Sequence, residues 1–199
     1  MKNTKTAFIT FFPAVPDNMG SSTVVNSRFK SWPSEKKLFQ LSHIKKINNK
    51  NTKTIFIGKE KPLNKILSLP KLICSVFMYL KNSKKKIIII EGASWIFYSF
   101  VVFFSLKLLF LKSKIIYISH SVESEIRKKF SNIFIYFLTK YLESFMFKCV
   151  DIATSVSKYE KRKIKKLYNV NTILYSNAIN IDYKVGKKKI AKDYILYSG

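Results

Sequence analysis

Glycine and proline are scarce, five of each in 199 residues. That excludes collagen-like and proline-rich chains. Cysteine is scarcer still, with only Cys74 and Cys149. Neither lies in a Cys-x-x-Cys pair, so no disulfide framework and no metal site is indicated. Both fall in apolar, helix-like stretches, where buried thiols of a reducing compartment are expected. No G-x-G-x-x-G, P-loop, H-E-x-x-H or G-x-S-x-G motif occurs. Dinucleotide, NTPase, zincin and α/β-hydrolase readings therefore lose their main support.

Acidic residues are also few, 11 against 37 Lys and Arg, for a formal net charge of +26. Two accounts fit this excess. Lys, Asn, Ile and Phe rise together in some proteomes. Alternatively, the charge serves an anionic partner, a membrane surface or a nucleic acid. The basic residues are spread through nearly every segment, with no DNA- or RNA-binding module, so nucleic acid is the less favoured partner.

Apolar residues make up 47% of the chain, enough for a substantial core. The apolar run Ala7 to Phe12 follows Lys2 and Lys5 but is too short for the core of a signal peptide. It reads as a first strand. Further strands are expected at Leu38 to Ser42, Thr54 to Ile57, Ile87 to Ile90, Lys114 to Ser119, Asp151 to Ser155 and Asn171 to Tyr175. Ile87 to Ile90 does not alternate with polar residues, which fits a strand buried on both faces. Helices are expected at Ser21 to Trp32, Asn64 to Leu80, Ser94 to Leu111, Ile133 to Phe147 and from Ser157 to about Tyr168. Ser157 and Glu160 form a capping-box pattern at the last of these. Strands alternating with helices predict an α/β, Rossmann-like, doubly wound parallel sheet.

Ala93 to Leu111 is nearly long enough to cross a bilayer, which takes roughly 20 residues. Lys107 inside it argues against a span. Its place between two strands predicts a crossover helix instead.

Three loops at predicted strand ends stand out, where open α/β sheets collect ligands. The first runs from Asp17 through Gly20, Ser21 and Ser22. Its glycine permits close backbone approach, and the next helix start offers free amides to an anion. An ordinary turn capped by Ser21 or Ser22 explains it too. The second is Ser119 to Glu125, with His120 directly after the strand. An imidazole there can exchange a proton near neutral pH or donate to a sugar hydroxyl. Backbone satisfaction of a loop histidine is the plainer account. Glu123 and Arg127 are spaced to pair along a helix. The third loop is Tyr175 to Asp182, with Asn177. His43 has no such setting.

In order and spacing these loops resemble the N-terminal domain of family 4 retaining glycosyltransferases. Ile115 to Glu123 is similar to the family's strand ending in His-Asn-Val-Glu. Leu142 to Asp151, Thr154 to Ser157, Ser176 to Asn180 and Tyr194 to Gly199 resemble further family phrases. The resemblance implies the N-terminal half of a GT-B fold, with residues 1–185 as the acceptor-side domain. Residues 186–199 would be a linker and the first strand of a donor-binding domain still to follow. It implies transfer of a sugar from a nucleotide-sugar co-substrate, with no further cofactor and no metal, to a glycan or lipid-linked acceptor in cell-envelope glycan synthesis. His120 would position the transferred sugar. Asp17, Gly20, Ser21, Ser22, Ser121, Glu123 and Asn177 would bind substrate. The expected location is cytoplasmic, peripheral at the inner face of an anionic membrane. Without the family's Glu-x7-Glu motif, which belongs to the second domain, the chain alone is expected to be inactive. Three departures stand out: one glycine where the family has two, Ala178 for the turn glycine, and Ser176 for the proline. A membrane-associated non-catalytic remnant or assembly partner, and a basic nucleic-acid-binding protein, are the alternatives.

Overall fold

The computed structural model describes residues 4–16, 20–44 and 50–177. Seven strands form one sheet: β1 (Thr4–Thr10), β2 (Glu35–Ser42), β3 (Thr52–Phe56), β4 (Lys85–Glu91), β5 (Lys114–Ser119), β6 (Ile152–Ser155) and β7 (Ile173–Leu174). Their order is β3-β2-β1-β4-β5-β6-β7, and every pairing is parallel. The helices are α1 (Gly20–Ser31), α2 (Pro62–Leu80), α3 (Ile96–Leu109), α4 (Glu123–Phe130), α5 (Ile133–Cys149) and α6 (Lys158–Tyr168). This is the Rossmann-like, doubly wound α/β sheet that the strand–helix alternation predicts.

Side chains of a strand point alternately to its two faces. Ala7, Ile9, Ile88, Ile90, Ile115 and Tyr117 join a large core with residues of α2, α3, α5 and α6. Phe8, Leu38, Ile89 and Ile118 face the other way, against Val25 and Phe29 of α1. Both faces are covered, so the isoleucine run has no polar face to show. Ile88 pairs with Ile115 and Ile90 with Tyr117, placing β4 beside β5.

The sheet winds out in two directions from its middle. From β1 the chain passes through α1 to β2, and it returns through α2 to β4 on the other side of β1. The carboxyl ends of β1 and β4 therefore flank the topological switch point, where such sheets open a crevice.

Several expectations change. The apolar stretch Ala93 to Leu111 contains a helix of only 14 residues, about 21 Å long and short of a roughly 30 Å hydrocarbon core. It buries Ile96, Val102, Phe103 and Leu106 as the β4–β5 crossover. Lys107 Nζ donates to Asp151 Oδ2 at 3.0 Å. Among the described helices, α2 is the one long and apolar enough to cross a membrane by length and composition. It instead turns Leu69, Leu72, Val76 and Leu80 onto the sheet at helical spacing. It begins at Pro62, a position where Pro is tolerated because the first amides have no helical partner. The two cysteines, expected buried, are both exposed. Their helices present them on the outer side, which periodicity in so apolar a sequence does not distinguish.

The capping box at Ser157 is half formed. Ser157 Oγ accepts from the Glu160 amide at 3.1 Å. The Glu160 carboxylate does not return to Ser157; it accepts from the Val122 amide at 3.0 Å, fixing the loop after β5. The short helix α4 is absent from the expected elements, although Val122, Ile126 and Phe130 recur at four-residue steps along it. The expected linker, the strand from Tyr194, and the family phrases beyond Asn177 lie outside the described residues.

Candidate functional site

Three segments meet at the switch point. The first is the start of α1. Its approach, Pro13 to Pro16, is held by the buried Gln40 side chain, whose Oε1 accepts from the Ala14 and Val15 amides at 2.9 and 3.0 Å. Gln40 Nε2 donates to the Val15 carbonyl at 2.7 Å. Ser22 is spent on the same loop. Its hydroxyl donates to the Pro13 carbonyl at 2.6 Å and is fully buried, tying α1 to that loop. Gly20 is exposed, with open space where a Cβ would stand. Asp17 lies outside the described residues.

The second segment is Gly92 to Trp95, after β4. The Gly92 amide donates to the Ile118 carbonyl at 2.8 Å, extending the ladder by one step. A Cβ at Gly92 would come within 2.6 Å of Tyr117 Cζ. Only glycine lets the β4 exit lie against that buried ring.

The third is His120 and Ser121, after β5. Ser21, Gly92, Ser94, Trp95, His120, Ser121, Glu123 and Arg127 line one cavity of about 340 Å³. That lies within the roughly 300–1,000 Å³ of ligand sites. The sequence-selected Ser21, His120, Ser121 and Glu123 are thus brought together.

Behind His120 lies an ion pair absent from the sequence reading. Glu91, the last residue of β4, is fully buried. Its Oε2 accepts from Arg28 Nη1 of α1 at 3.0 Å and lies 2.7 Å from His120 Nε2. A carboxylate only accepts, so His120 Nε2–H is the donor. That leaves Nδ1 as the nitrogen with lone-pair capacity in the neutral ring. Arg28 Nη1 is also 3.5 Å from Nε2, a much weaker approach. Arg28 Nη2 donates to Asn177 Oδ1 at 2.6 Å, and the guanidinium lies over the Tyr175 ring. Asn177 is therefore tied to the site through Arg28. Glu91 Oε1 and Arg28 Nε are buried without a partner among the described residues.

Glu123 serves two partners. Its Oε2 accepts from the Ile96 amide at 2.6 Å, satisfying the start of α3, and its Oε1 binds Arg127 in the spacing the sequence suggested. Burial raises its pKa, opposed by the Arg127 and Ile96 hydrogen bonds. Glu143 of α5 caps α4 from outside, accepting from the Glu123 and Ser124 amides at 2.6 and 2.9 Å and from Tyr168 at 2.6 Å. Burial pushes the Glu143 carboxyl up as well. No cluster of three or more metal-ligating side chains occurs among the described residues.

Arg28, Glu91, Gly92 and Trp95 escaped the sequence reading. Glu91-Gly92 did carry a signal, an acid and a glycine closing an unbroken isoleucine run. Arg28 carried none, because nothing local marks an arginine in α1 as bound for β4.

Fold and cavity together define a Rossmann-like domain with a cavity at its switch point. No family model and no curated protein matches the sequence. Solved structures do match. One is a Listeria monocytogenes protein assigned as a UDP-N-acetylglucosamine 2-epimerase, with a TM-score of 0.51 and 13% identity over 83% of this chain. At that identity the likeness is one of fold. The chain spans 42% of that protein's length.

Proposed function

We propose that this chain is the acceptor-side, N-terminal domain of a retaining glycosyltransferase, using a nucleotide sugar to extend a glycan or lipid-linked acceptor. The carrying observation is that Ser21, at the start of α1, and His120 line one cavity at the switch point. The fold likeness to a protein assigned to nucleotide-sugar chemistry supports the same reading.

The charge pattern suggests which part of the reactants sits here. Each arginine at the site is matched by a carboxylate, Arg28 by Glu91 and Arg127 by Glu123. The described wall therefore holds no surplus cation for a diphosphate. It offers hydroxyls, an imidazole and the Trp95 ring, which suit a neutral, hydroxyl-rich sugar. The donor diphosphate is then held by the second domain of such an enzyme. His120, oriented by Glu91 through Nε2–H, presents Nδ1 to a sugar hydroxyl and positions it. In transfer, the anomeric carbon–oxygen bond to the diphosphate breaks and its electron pair leaves on the nucleoside diphosphate. The acceptor oxygen forms the new bond, and its proton passes to the departing phosphate.

The test is nucleotide release by the complete gene product with a nucleotide sugar and acceptor. His120→Ala is expected to slow it at least about tenfold, or about 1.4 kcal/mol in barrier height. Unchanged turnover removes His120 from the site. The fold likeness favours a second reading, a nucleotide-sugar epimerase. Conversion of the sugar without any acceptor would establish that reading and overturn transfer.

A further inference from the structure

Three helices, α2, α3 and α5, cover one face of the sheet, and their outer sides are unusually apolar. Phe104 and Leu108 of α3 and Leu63 and Leu67 of α2 are about half exposed or more. The α4–α5 corner goes further. Phe130 is 82% exposed and Phe134 73%, and Phe137 and Tyr141 extend the series along α5. Within α5, positions 134, 137 and 141 recur at three- and four-residue steps, the spacing of one helical face, and Phe130 ends α4 just before it. Between α2 and α3 runs an open groove of about 700 Å³, lined by side chains such as Ile66, Ile73 and Val101. Single exposed apolar residues are ordinary, but a continuous array of them marks an interaction surface.

The charge on this face selects the occupant. The three helices carry one acidic residue between them, Glu143, and it is buried against α4 and Tyr168. Lys128 and Lys129 stand exposed immediately before Phe130, and Lys71 and Lys148 are exposed on α2 and α5. An apolar face fringed by lysines and free of exposed acid repels a second copy of itself. It matches an anionic bilayer, into which apolar side chains insert while lysines meet the headgroups.

We infer that the α2–α3–α5 face docks on an anionic lipid bilayer, with the α4–α5 corner inserting Phe130, Phe134 and Phe137. Ile126 and Arg127 of α4 also line the His120 cavity. Docking therefore sets the mouth of that cavity beside the headgroups, where a lipid-linked acceptor presents its sugar. This last step rests on the proposed function; the docking itself does not.

The experiment is co-sedimentation of the 199-residue protein with phosphatidylcholine vesicles, with and without phosphatidylglycerol. The protein is expected to partition at least about tenfold more strongly onto the anionic vesicles. Phe134→Ser/Phe137→Ser should lower that partitioning about tenfold or more, and Lys128→Ser/Lys129→Ser should lower it on anionic vesicles only. Both pairs are exposed, and circular dichroism checks that the variants fold. A Phe137→Trp variant adds an independent readout, quenching of the new indole by lipids brominated on the acyl chain. Equal partitioning of wild type and the Phe pair, or no quenching, overturns the inference. So does a dimer that the Phe pair abolishes, which would assign the face to protein. His120→Ala should bind vesicles as the wild type does. With turnover read in the complete gene product, loss of turnover in that variant with intact vesicle binding separates the two proposals, and intact turnover without vesicle binding sinks docking alone.

Discussion

Replacing Glu91 by Leu tests the buried charge arrangement that orients His120. The Arg28 and Glu91 side chains are 4% and 0% exposed and 3.0 Å apart. Removing one partner of such a pair strands the other charge in low dielectric, which costs about 3–5 kcal/mol. Removing both, as Arg28→Met/Glu91→Leu, replaces the pair by apolar groups of similar volume and is often near neutral. His120 and Asn177 each lose a partner in the double variant, so it should fall below wild type but well above Glu91→Leu. The coupling energy of the cycle is then expected to exceed about 2 kcal/mol. The assay is urea unfolding followed by circular dichroism. With a slope of about 2 kcal/mol/M for a domain of this size, Glu91→Leu should lower the midpoint by about 1.5–2.5 M. A double variant no more stable than the sum of its singles, or a Glu91→Leu cost under about 1 kcal/mol, refutes the reasoning.

Two further outcomes are expected. Gly92→Ala drives a methyl into the Tyr117 ring, whose Cζ would be 2.6 Å away, and should destabilise the fold by about 1–3 kcal/mol in the same urea assay. No loss would mean that the β4 exit yields easily. Asp151→Asn should change the acid limb of stability. Burial pushes the Asp151 carboxyl up, but hydrogen bonds from the Ile115 amide and Lys107, with the Lys107 charge, outweigh it and hold it below its ordinary 3.8. Its contribution is therefore present above that value and lost as pH falls through the lowered one. Because the pair is partly solvated, the variant should lose about 1 kcal/mol at most at neutral pH, and its stability should fall less steeply between neutral and acid pH. An unchanged acid limb would show that the pair contributes nothing.

Apart from α4, the chain's described elements were legible because each carries a local signal. Ile87 to Ile90 and Ile115 to Ile118 announced buried strands by having no polar alternation, and β4 and β5 do lie side by side. Asn169 ends α6 in the left-handed region at φ 56°, a conformation that Asn tolerates. Boundaries were less legible. The run from Ala93 to Leu111 read as one long helix because hydrophobicity does not mark where a crossover ends; Ser94 and Trp95 belong to the site loop and Leu111 to the turn. Glu160 was assigned to its own helix start because a capping box is local. Its actual partner, Val122, is 38 residues away.

The order of hydrophobic segments by itself determined a parallel, doubly wound sheet, since each crossover needs a helix and each interior strand needs two apolar faces. It also placed His120 at a strand's carboxyl end. Only the tertiary structure decided what that histidine touches. Arg28, Glu91, His120 and Asn177 come from α1, β4, the β5 loop and the segment after β7. Arg28 and Glu91 pair because both are buried, and the part-buried His120 and the exposed Asn177 hydrogen-bond to them; such long-range pairing has no periodicity to betray it in the sequence.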